Sequence, residues 1–472
     1  MRGQALPLAL LGPYLAPDTH TTTGRGQRWA LRGAIDLDAR VRPQGGAWQG
    51  AAHIRSADGG LALGAREVLG YRDLVLDGRF DPHGVDATLA AALSPDGRVS
   101  AQLATGWDGY APLRGTVDVD TRSLTWLELF SPDIVEPQGH LQGRITLAGT
   151  RAAPALGGQA RLSDFRTELP ALALSLREGD VRLDAQPDGS ATLAGSVRSG
   201  DGTLRIDGTL GWQDAETPLR LALTGEQVLV SDTRELHAVV DPSVVVRYAA
   251  GQPLSVTGTV RIPSARVDLE RLDTGVSRSS DVVVLDPADP GRGGGTPLDL
   301  DLALVMGDDV RLHGFGLDGS LGGSVRMRAR PGRETVATGS LDVDGRYTAY
   351  GQKLDITRGR LVWSNTAFGD PIVDVRAERE VGDVTAGIDV SGRASAPVAH
   401  VWSNPATSES EALAYLALGR PLSSANASES RQLSAATAAL SAAAWSASAS
   451  TSRRGCTSAT ACRCSALARC SR

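Results

Sequence analysis

The sequence predicts an all-β protein, a long stacked antiparallel sheet with one short helix near the C-terminus. Three observations predict it. Apolar and polar residues alternate with period two in segment after segment, as in Gly339–Ala377, GSLDVDGRYTAYGQKLDITRGRLVWSNTAFGDPIVDVRA. Such alternation is that of strands with one buried and one solvated face. The 55 glycines supply tight turns between many short strands, and Asp and Pro join them at the breaks. Helical periodicity is nearly absent before residue 408.

Taken in order, the start LPLALLGPYLAP holds only a short apolar run broken by Pro7 and Pro13, too short for a membrane span and without a cleavage signal. Residues 1–24 are therefore read as a poorly defined leader of a fragment. Residues 25–285 read as a repetitive β body. Its strands include LRGAIDLDARV near residue 31, YRDLVLDGRF at 71, GVDATLAAALS at 84 and GRVSAQLATGW at 97. GRITLAGT at 143, GGQARLSDF at 157, SLREGDVRLDAQ at 175, GSATLAGSVRSG at 189 and GTLRIDGTLGW at 202 continue it. SLTWLELFS at 123–131 fits a short helix or an irregular strand. Gly149 to Pro154 and Gly392 to Pro397 repeat one pattern, a strand ending at Gly and Pro restarting the chain in extended geometry. Loose repetition favours one stacked, elongated sheet over separate β-sandwiches.

Residues 286–297, DPADPGRGGGTP, read as a flexible loop. The Gly cluster lacks the Lys-Ser/Thr of a phosphate loop. Residues 298–407 return to alternating strands, and 408–419 form a short amphipathic helix. Ser408 can cap it with Glu411 three residues on, Leu413 and Leu416 share a face beside Tyr415, and Gly419 and Pro421 end it. The helix either plugs the end of the sheet or simply caps it. Residues 435–472 are Ala-, Ser- and Arg-rich, and the last acid of the chain is Glu429. All four cysteines (Cys456, Cys462, Cys464, Cys470) fall in this tail, which is expected to be disordered, with the composition of a shifted reading frame from about 440–445.

Composition excludes several functions. Six of the 48 basic residues follow Glu429, leaving 42 against 54 acids, so no broad basic surface exists for nucleic acid. The seven histidines (His20, His53, His83, His140, His237, His313, His400) form no local ligand pair. No metalloprotease, nucleophile-elbow or CxxC motif is present, and the cysteine spacing lacks paired knuckles in a foldable frame. No catalytic residue, metal or cofactor is therefore expected. The acids sit on the polar side of alternating strands.

The apolar side is more informative. Leu341, Val343, Tyr347 and Ala349 share one parity; Leu354 and Ile356 continue the stripe, then Leu361 and Trp363, and Ile388 and Val390 share a face. Such a face must be covered. It packs against a second sheet, or it curls and leaves an apolar groove for acyl chains, at about 0.8 kcal/mol per buried methylene; periodicity alone leaves both open.

Residues 339–420 carry a resemblance. The pieces are Gly339-Ser-Leu, Gly345-Arg-Tyr-Thr-Ala-Tyr-Gly-Gln352, Ile356-Thr-Arg-Gly-Arg-Leu, Pro371-Ile-Val-Asp-Val-Arg-Ala and Val390-Ser-Gly-Arg-Ala-Ser-Ala-Pro397. They end in Ser403-Asn-Pro405 and Ser410-Glu-Ala-Leu-Ala-Tyr-Leu-Ala-Leu-Gly-Arg-Pro-Leu422. In this order they resemble the C-terminal domain of the TamB family, the inner-membrane-anchored subunit of the translocation and assembly module, with upstream similarity over about residues 25–440. The resemblance implies an elongated, twisted, incompletely closed antiparallel β-taco whose apolar lining conducts phospholipid across the periplasm. The ten residues just named are the lining candidates. The implied partners are phospholipid acyl chains, the Omp85-type outer-membrane protein TamA, and outer-membrane protein and autotransporter clients. The family's inner-membrane anchor and much of its N-terminal body are not recognised in this chain. A β-augmentation scaffold for outer-membrane proteins without lipid conduction is the alternative, and a carbohydrate-binding or adhesive β protein is a third possibility.

Overall fold

The computed structural model describes residues 2–8, 29–44, 47–63, 66–129, 134–211, 218–272, 297–349, 351–424 and 426. Within them the chain is almost wholly strand. The expected loop at 286–297, save its last residue, and the tail at 435–472 lie outside the described residues. The chain divides into two compact units, Met1–Phe315 with Gly322–Ala337, and Gly316–Leu321 with Thr338–Arg472.

The first unit is a sheet in which strands follow chain order. They are β1 (Arg2–Pro7), β2 (Trp29–Gln44), β3 (Ala47–Leu63), β4 (Arg66–Phe80), β5 (Gly84–Ser94), β6 (Gly97–Gly106), β7 (Leu113–Ser123), β8 (Val135–Gly149) and β9 (Pro154–Leu169). There follow β10 (Leu174–Gln186), β11 (Ser190–Ser199), β12 (Gly202–Gly211), β13 (Leu219–Glu226), β14 (Val228–Asp232), β15 (Leu236–Tyr248), β16 (Leu254–Asp268) and β17 (Leu298–Gly314). Each pairs antiparallel with the next through β13. β13 and β14 then share β15, one taking Ser243–Tyr248 and the other His237–Val240. Among the described residues no register joins β1 or β2 to β16 or β17, so the sheet is open.

One pairing departs from the antiparallel expectation. β16 and β17 run parallel, Leu254 opposite Leu298 through Asp268 opposite His313. A parallel pair needs a crossover that returns the chain to the starting end, which a hairpin cannot do. Of the two readings for 123–131 the short helix holds within the described residues: Ser123 ends β7, Thr125–Leu129 is a single 3-10 helical turn, and Leu124 is fully buried beside Gly139. Gly149 and Pro154 do border a hairpin, as do Gly392 and Pro397.

The sheet bends at β-bulges. Registers slip at Arg72/Val75, Val135/Gln138 and Leu176/Gly179, and non-glycine residues sit in the left-handed region at the same places, Asp73 (φ 52°), Glu136 (49°) and Glu178 (52°). An extra residue of this kind raises the local twist and re-aims the strand. Carbonyls released near these irregularities and at strand ends are taken up by buried hydroxyls: Thr167 Oγ1 donates to Val135 O (2.9 Å), Ser199 Oγ to Leu229 O (2.6 Å) and Ser231 Oγ to Leu236 O (2.8 Å). Two substitutions of opposite sign test the backbone account by thermal or urea unfolding. Glu178→Gly is expected to stabilise by about 1 kcal/mol, since glycine adopts positive φ freely and the exposed Arg198 ion pair contributes little. Gly158→Ala is expected to cost more than about 2 kcal/mol, because at φ +112° a new Cβ would run into the Arg144 carbonyl oxygen.

The second unit holds β20 (Gln352–Ala367), β21 (Ile372–Val381), β22 (Val384–Arg393) and β23 (Ala396–Asn404) as an antiparallel sheet, joined by β19 (Val336–Ala349) beside β20; β18 (Leu317–Ala329) and the start of β19 are divided between the units. Helix α1 (Leu269–Leu272) is a single turn in the first unit, and α2 (Glu409–Leu418) is the expected helix. Ser408 caps α2 by accepting from Glu411 N (3.2 Å), and Gly419 ends it in the left-handed region, its N–H donating to Tyr415 O (3.1 Å). The Glu411 side chain does not reach back to the cap; its Oε1 accepts from Leu422 N (3.2 Å) and ties the following turn to the helix. Among the described residues no helix is long and apolar enough to cross a membrane.

Candidate functional site

Alternation within each strand becomes a surface only through register. In the first unit, Leu37, Ile54, Leu76, Leu89, Ala101, Val117 and Ile145 stand directly opposite one another in turn across β2–β8. A second row on the same face crosses β9–β13 and β15–β17 through Ala160, Leu183, Leu193, Gly208, Leu221, Val246, Val256 and Leu300. All of these residues are only half-buried. Over this face the described residues place no second sheet. The 3-10 turn Thr125–Leu129 packs on β4 and β8, α1 on β17, and β14 folds against the ends of β10–β12. The cavity of about 1110 Å³ over β2–β8 belongs mainly to the opposite, polar face: Asp38, Arg40, His53, Asp77, Arg79, Asp86 and Arg114 line it, with Ala52, Gly78, Ala87 and Gly115 of the small row between them. The apolar rows themselves form a surface that is long in the direction across the strands.

The opposite face is ionic. Arg144 meets Asp118, Arg161 meets Asp180 (2.6 Å), and Arg326 holds Asp301 with two hydrogen bonds. Three His–Asp pairs, His53–Asp77, His140–Asp120 and His237–Asp232, lie on strands or strand ends with no hydroxyl or thiol hydrogen-bonded to the second ring nitrogen among the described residues. No group of three metal-ligating side chains is found among the described residues.

In the second unit the same division appears. Ile356, Ala377, Ile388 and Val401 form a four-strand apolar row; Gly359, Val375, Val390 and Ala399 form the next, and Leu361 and Val373 continue it. A bulge between Ile356 and Arg358 keeps this face consistent: Leu354 and Ile356 have even numbers, Leu361 and Trp363 odd ones, and the extra residue puts all four on one side. The first row is covered. Leu416 of α2 forms a buried cluster with Leu354, Ala377 and Ala386, and Tyr347, Ile356, Ile388, Val401 and Tyr415 pack around it. Leu413 does not share that cluster. It packs with Ala414 against Val401, Leu418 and Leu422, so the two leucines divide between two clusters bridged by Val401. The second and third rows remain half-buried.

The sequence-derived lining residues thus separate into groups. Tyr347, Leu354, Ile356 and Ile388 lie under α2, Leu361 and Val390 lie in the uncovered rows, and Leu341 and Val343 are buried on β19. Trp363 is turned to the hairpin end, stacked on Phe368 with its Nε1 donating to Phe368 O (2.9 Å). Ala349 ends β19, and its side chain lies outside the described residues. Alternation gave no sign of two residues that matter here. Arg379 projects onto the apolar face, its Nη1 donating to Gln352 Oε1 (2.6 Å) and Leu416 O (3.4 Å), while Gln352 Nε2 donates to Ala417 O (3.5 Å). Their signal is a polar residue at an inward position, visible once the parity of β20 and β21 is fixed.

On the outer face Arg376 grips Asp389 through two 2.7 Å hydrogen bonds and lies over the Trp402 ring, which fills the space left by Gly387. The hydrogen bond from Arg376 lowers the Asp389 pKa below its ordinary value, and Arg326 does the same for Asp301. A depressed carboxyl pKa adds stability that is present above the unfolded value, about 4, and lost as pH falls through the folded one. Acid unfolding below pH 4 is therefore expected to be shallower in Asp389→Asn, measured as the pH dependence of the urea midpoint.

A family model for the TamB C-terminal domain matches residues 192–454, running past the 440–445 stretch where the composition changes. The translocation and assembly module subunit TamB of Haemophilus influenzae is 26% identical over 333 residues, 66% of this chain and 25% of that protein. The chain thus spans about a quarter of the length of this curated relative. With more than half of its residues matched by the family model, and a mostly antiparallel sheet in each unit, the chain belongs to the TamB family.

Proposed function

We propose that this chain is a segment of a periplasmic conduit that carries phospholipid acyl chains along its apolar face between the inner and outer membranes. The observation that carries the reading is the pair of apolar rows across β2–β8 and through β9–β13 and β15–β17, half-buried, over which the described residues place no second sheet. Soluble sheets cover such a face; one left open over this many strands is suited to a ligand that is itself long and apolar. Each buried methylene contributes about 0.8 kcal/mol, spread along the row, so a chain is held without being fixed at one point. The ionic outer face keeps the sheet solvated. No step of bond making is involved, and the protein is not an enzyme in this reading.

The likeness to the TamB subunit of Haemophilus influenzae supports a place within a translocation and assembly module; an inner-membrane anchor, partnership with TamA and support of outer-membrane protein and autotransporter assembly are the finer part of the proposal, implied by the family resemblance. A second reading, β-augmentation of client proteins, draws on β23, whose only register among the described residues is with β22. The two are separated by purifying the chain after expression in the periplasm and extracting it with organic solvent. Phospholipid recovered in stoichiometric amounts, and reduced by an acidic residue placed at Val117, supports the conduit. Lipid-free protein that still binds unfolded outer-membrane strands supports the second reading.

A further inference from the structure

We propose that the seat of α2 is itself a binding site for an anionic amphiphile, an acyl chain with a phosphate headgroup, and that α2 is its internal occupant. Three observations converge on the seat. It is continuous with open apolar surface: the covered row Ile356–Ala377–Ile388–Val401 adjoins the half-buried row through Val375 and Val390 on the same face. It contains a charge that the apolar face does not explain. At the positions of β20–β23 that share this face Arg379 is the only charged residue, and among the described residues it has no carboxylate partner. Its guanidinium is satisfied instead by neutral oxygens, Gln352 Oε1 and the Leu416 carbonyl.

The third observation is what α2 presents to the seat. Leu416 inserts its side chain among Leu354, Ala377 and Ala386, and the carbonyl end of the helix, which carries a partial negative charge, turns to Arg379 and Gln352. An apolar chain next to a negative pole is also the outline of an anionic lipid. A phosphate would supply a full charge and fork-shaped acceptors where the carbonyls supply only partial charge, so it is the stronger partner for a guanidinium. The helix is ten residues long, short enough to be marginal away from its seat, so its release is reversible. Glu411 does not compete for Arg379, since its carboxylate holds Leu422 N.

This proposal rests on the conduit reading, and the test separates the two. Hydrogen exchange of the α2 amides is followed in the full chain while a lysophosphatidylglycerol is added below its micellar concentration. Inorganic phosphate alone and an uncharged alkyl glycoside of equal chain length are the comparison probes. In parallel, a photoreactive residue at Val390 reports chains in the uncovered row. The lysophospholipid is expected to speed exchange in α2 at least tenfold, phosphate alone to leave it unchanged, and the glycoside to act at several-fold higher concentration. Arg379→Gln is expected to remove the preference for the phosphate head, and Arg379→Lys, which keeps the charge, to retain most of it. Unchanged α2 exchange with labelling at Val390 overturns the seat and leaves the conduit standing. Absence of both signals overturns both. Equal preference in wild type and Arg379→Gln overturns the headgroup site.

Discussion

Leu354→Ala is expected to destabilise the C-terminal unit by about 2–5 kcal/mol, the range for emptying a fully buried leucine site. Leu354 is 1% exposed and meets Ala377, Ala386 and Leu416, three neighbours too small or too constrained to refill the space. Leu416→Ala empties the same cluster from the helix side. The double variant is therefore expected to lose less than the sum of the two, as coupled contacts do. Val398→Ala, on the partly exposed edge strand at 36% exposure, should change stability by less than about 0.5 kcal/mol. Hydrogen exchange of the β20–β22 amides measures all four. Equal effects of Leu354→Ala and Val398→Ala would show that α2 does not seal this face.

The second large effect concerns ligand and not stability. Leu193→Glu places a carboxylate in the middle of the row between Leu183 and Gly208. The site is half-buried, so the carboxylate stays hydrated and the sheet still forms. An acyl chain passing it must give up contact over two or three methylenes, about 2 kcal/mol or roughly thirtyfold in affinity. Thr192→Glu, one residue away and exposed on the opposite face, is expected to leave affinity within twofold. Titration with a fluorescent fatty acid reads both.

The class of fold was legible because period-two alternation and glycine-rich breaks state the strand directly, and α2 was legible from its cap and stop. Register was not. Leu354 and Trp363 have opposite parity in the sequence and share a face only because a bulge intervenes near Arg358. The parallel pairing of β16 with β17 leaves no mark in either strand, since alternation is blind to strand direction. The rows of the first unit are made of Leu, Val, Ile, Ala and Gly whose alignment exists only across strands. The lining candidates, Leu341 to Val390, follow from alternation within single strands, which cannot show how the rows upstream line up from strand to strand. Arg379 and Gln352 carry no mark in the alternation, because a polar residue in an alternating strand reads as belonging to the solvated side.

A photoreactive residue scanned across the first unit in lipid-replete cells tests the conduit most directly. Leu76, Val117, Leu193 and Val246 sample the apolar rows, and Asp77, Thr192 and Arg247 their outward neighbours. Crosslinked phospholipid at all four inner positions and at none of the outer ones is the expected result. Labelling that is equal on the two faces, or absent from the inner rows, would contradict an acyl-conducting face.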